Sequence, residues 1–201
     1  MPLTVFNNSA YFAVPMPLSD FPQLLRDHMN DNPDTPQIED FGEQLTRDGF
    51  PANDIPDFVT RVCEWGGKQG PRILSRILNQ NTNVEIADAL RMASSSLALG
   101  QLVDALTHID KLRFLDVAFA SKHLRFLRPD ICPVFDRILH DALPYTLDAN
   151  GYSDFAHDCA SLAQTLAANQ IANPRQRTAG AWFVADVEGA IYGSIAQFVG
   201  K

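Results

Sequence analysis

Long hydrophobic runs are missing from this sequence. No stretch approaches the ~20 apolar residues of a membrane span, and the apolar start, MPLTVFNNSAYFAVPMPL, has no basic residue before its apolar part, so neither a spanning helix nor a secretory leader is expected. Cysteine is scarce as well: Cys63, Cys132 and Cys159 lie far apart in no metal-like spacing, and the odd number leaves at least one unpaired within the chain. Reduced thiols in a cytoplasmic protein are the reading that follows. β-Branched, alternating runs are almost absent, which argues against a sheet. Basic residues are few: 16 Lys and Arg face 24 Asp and Glu, for a net charge of −8, where a nucleic-acid binder is usually basic overall.

What is present suffices for a core. The 201 residues, 46% hydrophobic and 20% charged, fit a single helical domain, with an acidic N-terminal helical part at 1–64 and a helical core at 65–201. The acidity is uneven. Residues 1–60 hold ten acids against Arg26 and Arg47, while the remainder is balanced. That acidic half is either a solvated face or a docking surface for a protein partner.

The chain reads almost entirely as helix. After an irregular start, Ser19 can cap a helix whose apolar positions Phe21, Leu24, Leu25 and Met29 repeat at helical spacing. The DNPDTPQ segment breaks it, and a short helix over Ile38–Leu45 ends at DGFPAND. Asn53 can cap the next, with Ile55, Phe58, Val59 and Val62 as its buried stripe. Core-facing stripes predict further helices at Pro71–Leu78, Val84–Leu99 and Gln101–Leu112. Ser153 can cap one over Asp154–Ala168, and Thr178 or Gly180 begins a last apolar helix running to Phe198.

Between them lies Trp65-Gly66-Gly67-Lys68-Gln69-Gly70-Pro71-Arg72. Its glycines end one helix and Pro71 suits the first turn of the next, so backbone amides beside Lys68 and Arg72 could hold a phosphate. The same stretch also reads as a plain helix connection with a tryptophan packed under it. It is not a Walker loop, lacking that spacing and the preceding strand.

The most informative stretch runs from Leu112 to Leu139, LRFLDVAFASKHLRFLRPDICPVFDRIL. A helix end, a short turn, a helix opening near Ala120-Ser121-Lys122, then Pro129, Pro133 and Asp136 opening another helix make a helix-turn-helix-loop-Asp unit. Lys111, Arg113, Lys122, Arg125, Arg128 and Arg137 face Asp116, Asp130 and Asp136 there, a local excess of base suited to an anionic partner. A turn between helices can present amides to a phosphate, and a carboxylate from the next helix start can stabilise an oxocarbenium-like sugar or orient water. An amine reaching the same cavity could attack the sugar carbon and give a Schiff base.

Leu115-Asp116-Val117-Ala118-Phe119-Ala120-Ser121 followed by Cys132-Pro133-Val134-Phe135-Asp136-Arg137-Ile138-Leu139 resembles the hairpin and the Pro-hydrophobic-x-Asp signature of helix-hairpin-helix DNA glycosylases, especially the 8-oxoguanine-glycosylase-like branch. The resemblance is firmest over residues 100–140. It implies an all-α architecture of that plan, double-stranded DNA with a flipped base as partner, Asp136 as catalytic carboxylate and no cofactor. Asp116 and Ala118 stand where the family's hairpin carries glycines, and Ala120 where its bifunctional members carry the Schiff-base lysine. Lys122 lies two residues on, about 200° round a helix, so it is expected to point elsewhere and a monofunctional enzyme is favoured over a lyase.

The expected site is therefore Asp136 with Lys122 as catalytic candidates. Lys68, Arg72, Ser121, His123, Arg125, Arg128 and Arg137 are candidates for nucleic-acid contact, and Trp65, Tyr152 and Trp182 for stacking on a base. The bland readings are a helix cap for Asp136, solvated charges or partners of Asp136 for Lys122 and Arg125, and core packing for the aromatics. The histidines are too dispersed for a metal site. An inert binding module of the same fold is the contrasting expectation.

Overall fold

The computed structural model describes residues 4–6, 9–11 and 15–199. The rest of the apolar start and the side chain of Phe198 lie outside the described residues. Among the described residues the protein is all-α, with one small exception at the start. Where the sequence predicts irregular chain, three short strands, β1 (Thr4–Phe6), β2 (Ser9–Tyr11) and β3 (Pro15–Pro17), pair antiparallel in that order, with Thr4 opposite Tyr11 and Ser9 opposite Pro17. Prolines fit β3 because it is an edge strand whose ladder is made on one side only.

Ten helices follow: α1 (Phe21–Asp31), α2 (Thr35–Arg47), α3 (Ile55–Trp65), α4 (Gly70–Gln80), α5 (Asn83–Ala98), α6 (Leu102–Asp110), α7 (Val117–Leu127), α8 (Arg137–Ala142), α9 (Ala149–Ala168) and α10 (Val184–Val199). Proline stands in the first turn of each of the first four, where its missing N–H costs nothing and its fixed φ suits the helix. That is why the proline-rich segment before α2 starts a helix at Thr35 as well as ending one. The expected Ser19 cap is not made; Ser19 Oγ bonds to Asp20 instead. Asp148, not Ser153, caps α9 by accepting from Gly151 N–H, so that helix begins earlier than its apolar stripe suggests.

The first and last of these helices meet. α1 lies along α10, where Gly189 and Gly193 keep the helices close: a β-carbon at Gly193 would sit 3.1 Å from the Leu24 carbonyl oxygen. α2 and α3 pack on α7, with Gly42 under the Phe126 carbonyl, which a side chain there would strike. α5, α6, α9 and α10 complete the core around Leu90, Leu106, Phe155, Leu162 and Ile191. No described helix is long and apolar enough to cross a membrane.

Candidate active site

The site is built from four stretches: the end of α1, the glycine loop after α3, the middle of α7 and the cap of α8, closed from behind by α10. Asp116 fixes the first coordinate. Its side chain accepts from Phe119 N–H and starts α7 at Val117, so the residue standing where the resemblance calls for a glycine is a helix cap. The turn before it is braced by Asn81, which accepts from Arg113 N–H and donates to Arg113 O, both at 3.0 Å.

With α7 begun there, Ala120 faces the core and Lys122 faces α8. This corrects the expectation that Lys122 points away. Lys122 is 6% exposed, its Nζ lies 3.9 Å from Asp136 Oδ2 and 3.4 Å from Gly66 O, and the amine stands over the Phe119 ring. Asp136 divides its two oxygens. Oδ1 accepts from Ile138 and Leu139 N–H and caps α8, while Oδ2 is the oxygen toward Lys122. The capping and the catalytic readings of Asp136 are thus compatible, one oxygen for each.

Lys122 and Asp136 line a cavity of about 170 Å³ with His28, Trp65, Gly66, Gly67, Val134, Glu188 and Tyr192, and with Asp31 and Asn32 at its rim. It adjoins a cleft of about 570 Å³ bounded by Asp31, Asn32, Asp34, Arg61, Glu64 and Trp65. A protein cavity of roughly 150 Å³ admits a benzene ring, so the inner space takes one planar ring system and the outer cleft what is attached to it. The cleft wall is acidic: Asp31, Asp34 and Glu64 are exposed, and Arg61 is bonded to Asp57.

Two groups in the cavity went unnoticed in the sequence. Glu188, 2% exposed, accepts from Val134 N–H at 3.4 Å, and burial followed by the nearby Asp136 charge pushes its carboxyl up to about 8, against the opposing pull of Arg125, the Val134 amide and Lys122. Tyr152 and Cys159 of α9 face it from behind. The available signal was a pair of acids, Asp186 and Glu188, inside the otherwise apolar run Val184–Ile191. His28, 6% exposed, is held down to about 3 by burial and then by Arg125 and Arg175, so it is neutral, and its Nδ1 has no hydrogen-bond partner. A β-carbon at Gly189 would come within 2.9 Å of that nitrogen.

These shifts set a pH dependence of stability. His28, with His123 lowered to about 4 mainly by burial, binds a proton readily only when unfolded; that stability is present above the unfolded value of 6.5 and is lost as pH falls toward 4 and 3. Glu188 is raised, so its contribution is full below 4.5 and is lost as pH rises through 8. Glu188→Gln removes the second dependence. In urea denaturation the variant is expected to gain on wild type by about 1.4 kcal/mol per pH unit between pH 5 and 8; a constant difference across that range would contradict the buried acid.

The remaining candidates separate. Ser121 and His123 are wholly buried: Ser121 Oγ accepts from Phe135 N–H and donates to Ala118 O, and His123 Nδ1 meets Phe119 O at 2.7 Å. Arg125, 1% exposed, lies 2.8 Å from Glu39 of α2, at an angle that makes a charge contact rather than a hydrogen bond. These three are corrected from nucleic-acid contacts to interior structure. Arg128 is tied to Asp130 through two hydrogen bonds of 2.8 and 2.7 Å; Lys68, Arg72 and Arg137 are exposed. The cluster of charge read from 111–137 is therefore not one surface patch, since Lys122 and Arg125 point inward. Tyr152 is buried in the core, and Trp182 packs edge-on against Phe21 while donating to Ile171 O, so neither lines the cavity. Trp65 does line it, its Nε1 donating to Thr35 Oγ1 at 3.0 Å and its face beside Arg125.

Comparison with protein-family models, with curated proteins and with solved structures finds no match to this chain.

Proposed function

We propose that this protein is a base-excising N-glycosylase on the helix-hairpin-helix plan, acting on a damaged or modified base flipped out of DNA. One observation carries the reading: a lysine amine and a carboxylate oxygen, 3.9 Å apart, share a cavity sized for a single ring system. Asp136 Oδ2 stabilises positive charge developing on the sugar as the glycosidic bond breaks. Lys122 is the nucleophile for the anomeric carbon: as its amine bonds there the base leaves, and opening of the C1′–O4′ bond, with the electron pair going to the ring oxygen, gives a Schiff base, so the lyase version gains support that the chain's spacing alone did not offer. Trp65 is the aromatic surface for the base. The acidic cleft wall keeps phosphates off that side, which leaves Lys68, Arg72 and Arg137 as the exposed cations for backbone contact.

The reading is tested by incubating the protein with duplexes carrying single damaged or modified bases and following free base by mass spectrometry, with borohydride added in parallel. Wild type is expected to release a base and to yield a trapped covalent adduct, and Lys122→Gln to yield no adduct. Release without an adduct would remove the nucleophile role of Lys122 and leave hydrolysis directed by Asp136. No release from any duplex would favour the other reading, an inert docking module, for which the capping role of Asp136 is the supporting observation.

A further inference from the structure

We propose that Glu188 is the general acid of this site, donating the proton that the departing base takes up. The inference rests on the glycosylase reading and adds a residue to it. Charge and position carry the argument. Three carboxyl groups line the cavity beside one amine, Lys122: Asp31 is exposed to water at the rim, and Asp136 and Glu188 lie within. The Lys122 ammonium balances one carboxylate, and Asp136 is the one placed to be that carboxylate, with its Oδ2 toward the amine and its Oδ1 on two backbone amides at a helix start. Glu188 has a single backbone amide, at 3.4 Å, and 2% exposure, so it is the carboxyl that retains its proton. Arg125, the other cation near it, is engaged by Glu39.

The other groups in the cavity cannot replace it. His28 is neutral at neutral pH, and the N–H of a neutral imidazole is far too weak an acid to serve. Tyr192 is held above the ordinary phenol value by burial and by the Asp136 and Glu188 charges, which makes it a poorer acid than Glu188. Val134 lies two residues before Asp136, so one extended segment fixes both carboxyls relative to each other.

The proton balance closes without a further reactant. The glycosidic C–N bond breaks with its electron pair going to the base, and the Glu188 proton goes to that base nitrogen or to a conjugated heteroatom. A bond forms between the sugar carbon and either water or, once the Lys122 ammonium has given a proton to solvent, the freed amine. The proton lost by that nucleophile returns to the Glu188 carboxylate.

A leaving group that needs no acid separates this role from a structural one. N7-methylguanine already carries a positive charge in DNA and departs neutral, whereas 8-oxoguanine and uracil need a proton or leave as anions. Single-turnover release is measured from duplexes containing each of the three, with wild type and Glu188→Gln, from pH 5 to 9. The expected result is a slowing of about a hundredfold for the uncharged lesions in the variant, unchanged release of N7-methylguanine, and loss of the alkaline fall in rate that wild type shows near pH 8. Equal slowing on all bases, or no slowing, would overturn the acid role and leave the glycosylase reading in place. Release confined to N7-methylguanine would also overturn it, since that base needs no acid. If N7-methylguanine is not a substrate, the presence of the alkaline limb in wild type and its loss in the variant decides the matter. No release of any of the three by wild type would overturn the glycosylase reading and the acid role with it.

Discussion

Asp136→Asn is expected to abolish most base release, on the order of 10³-fold in single-turnover rate, while the protein stays folded. Asparagine caps helices about as well as aspartate does, so the amide can keep the two bonds to Ile138 and Leu139 N–H that Oδ1 now accepts. What it lacks is the negative charge toward Lys122 and toward a developing sugar cation. Asp136→Ala should lose activity and, in addition, about 1 kcal/mol of stability with the cap. Urea denaturation beside the release assay tells the two oxygens apart. An asparagine variant that is stable and fully active would remove the carboxylate from the mechanism. One that is inactive and as unstable as the alanine variant would make Asp136 a structural residue.

The second large effect is expected far from the cavity mouth. Asp186, with no solvent exposure, accepts from Arg177 Nε at 3.0 Å and Nη2 at 2.9 Å and from Asn173 Nδ2 at 2.9 Å, and Arg175 lies 3.2 Å away. Arg177 also binds both oxygens of Glu39, which stands against Arg125 on its other side. Three arginines thus share two carboxylates, and Arg125 lies over the Trp65 and Phe126 rings, whose faces favour a cation. Asp186→Ala leaves three guanidinium groups, Arg125 buried and Arg175 and Arg177 partly so, with one carboxylate. Breaking a buried pair from one side costs about 3–5 kcal/mol, and that loss is expected in the urea midpoint. Arg47→Gln, which removes a solvent-exposed pair with Glu43, should change stability by ~1 kcal/mol or less. Comparable losses in the two variants would mean that the interior network contributes no more than a surface pair.

Local chemistry made the helices legible. Apolar spacing located most of the helices, and Pro71 and Asp136 marked starts that the structure bears out. Distances along the chain hid the rest. Arg125 reads as surface charge because Glu39, its partner, lies on another helix nearly half the chain earlier. Lys122 was expected to point away because its angle was taken from Ala120; where it ends up depends on the cap at Asp116 and on how the loop after α7 returns Asp136 to it. His28 and Trp65 meet only because α1 packs on α10 and α3 on α7. A division at residue 64 into an acidic part and a core, natural from charge, runs across that cavity.

The pairing of α1 with α10 also bears on how the protein is made. The cavity takes His28 from near the beginning of the chain and Glu188 and Tyr192 from near its end. On the ribosome, α1 is synthesised long before the surface it covers exists, and its apolar face must wait. Contacts this distant in sequence are slow to form because the closing of so long a loop precedes any gain from packing. The cavity is therefore completed last, after α10 has emerged, and a nascent chain carries Lys122 and Asp136 without a formed site around them.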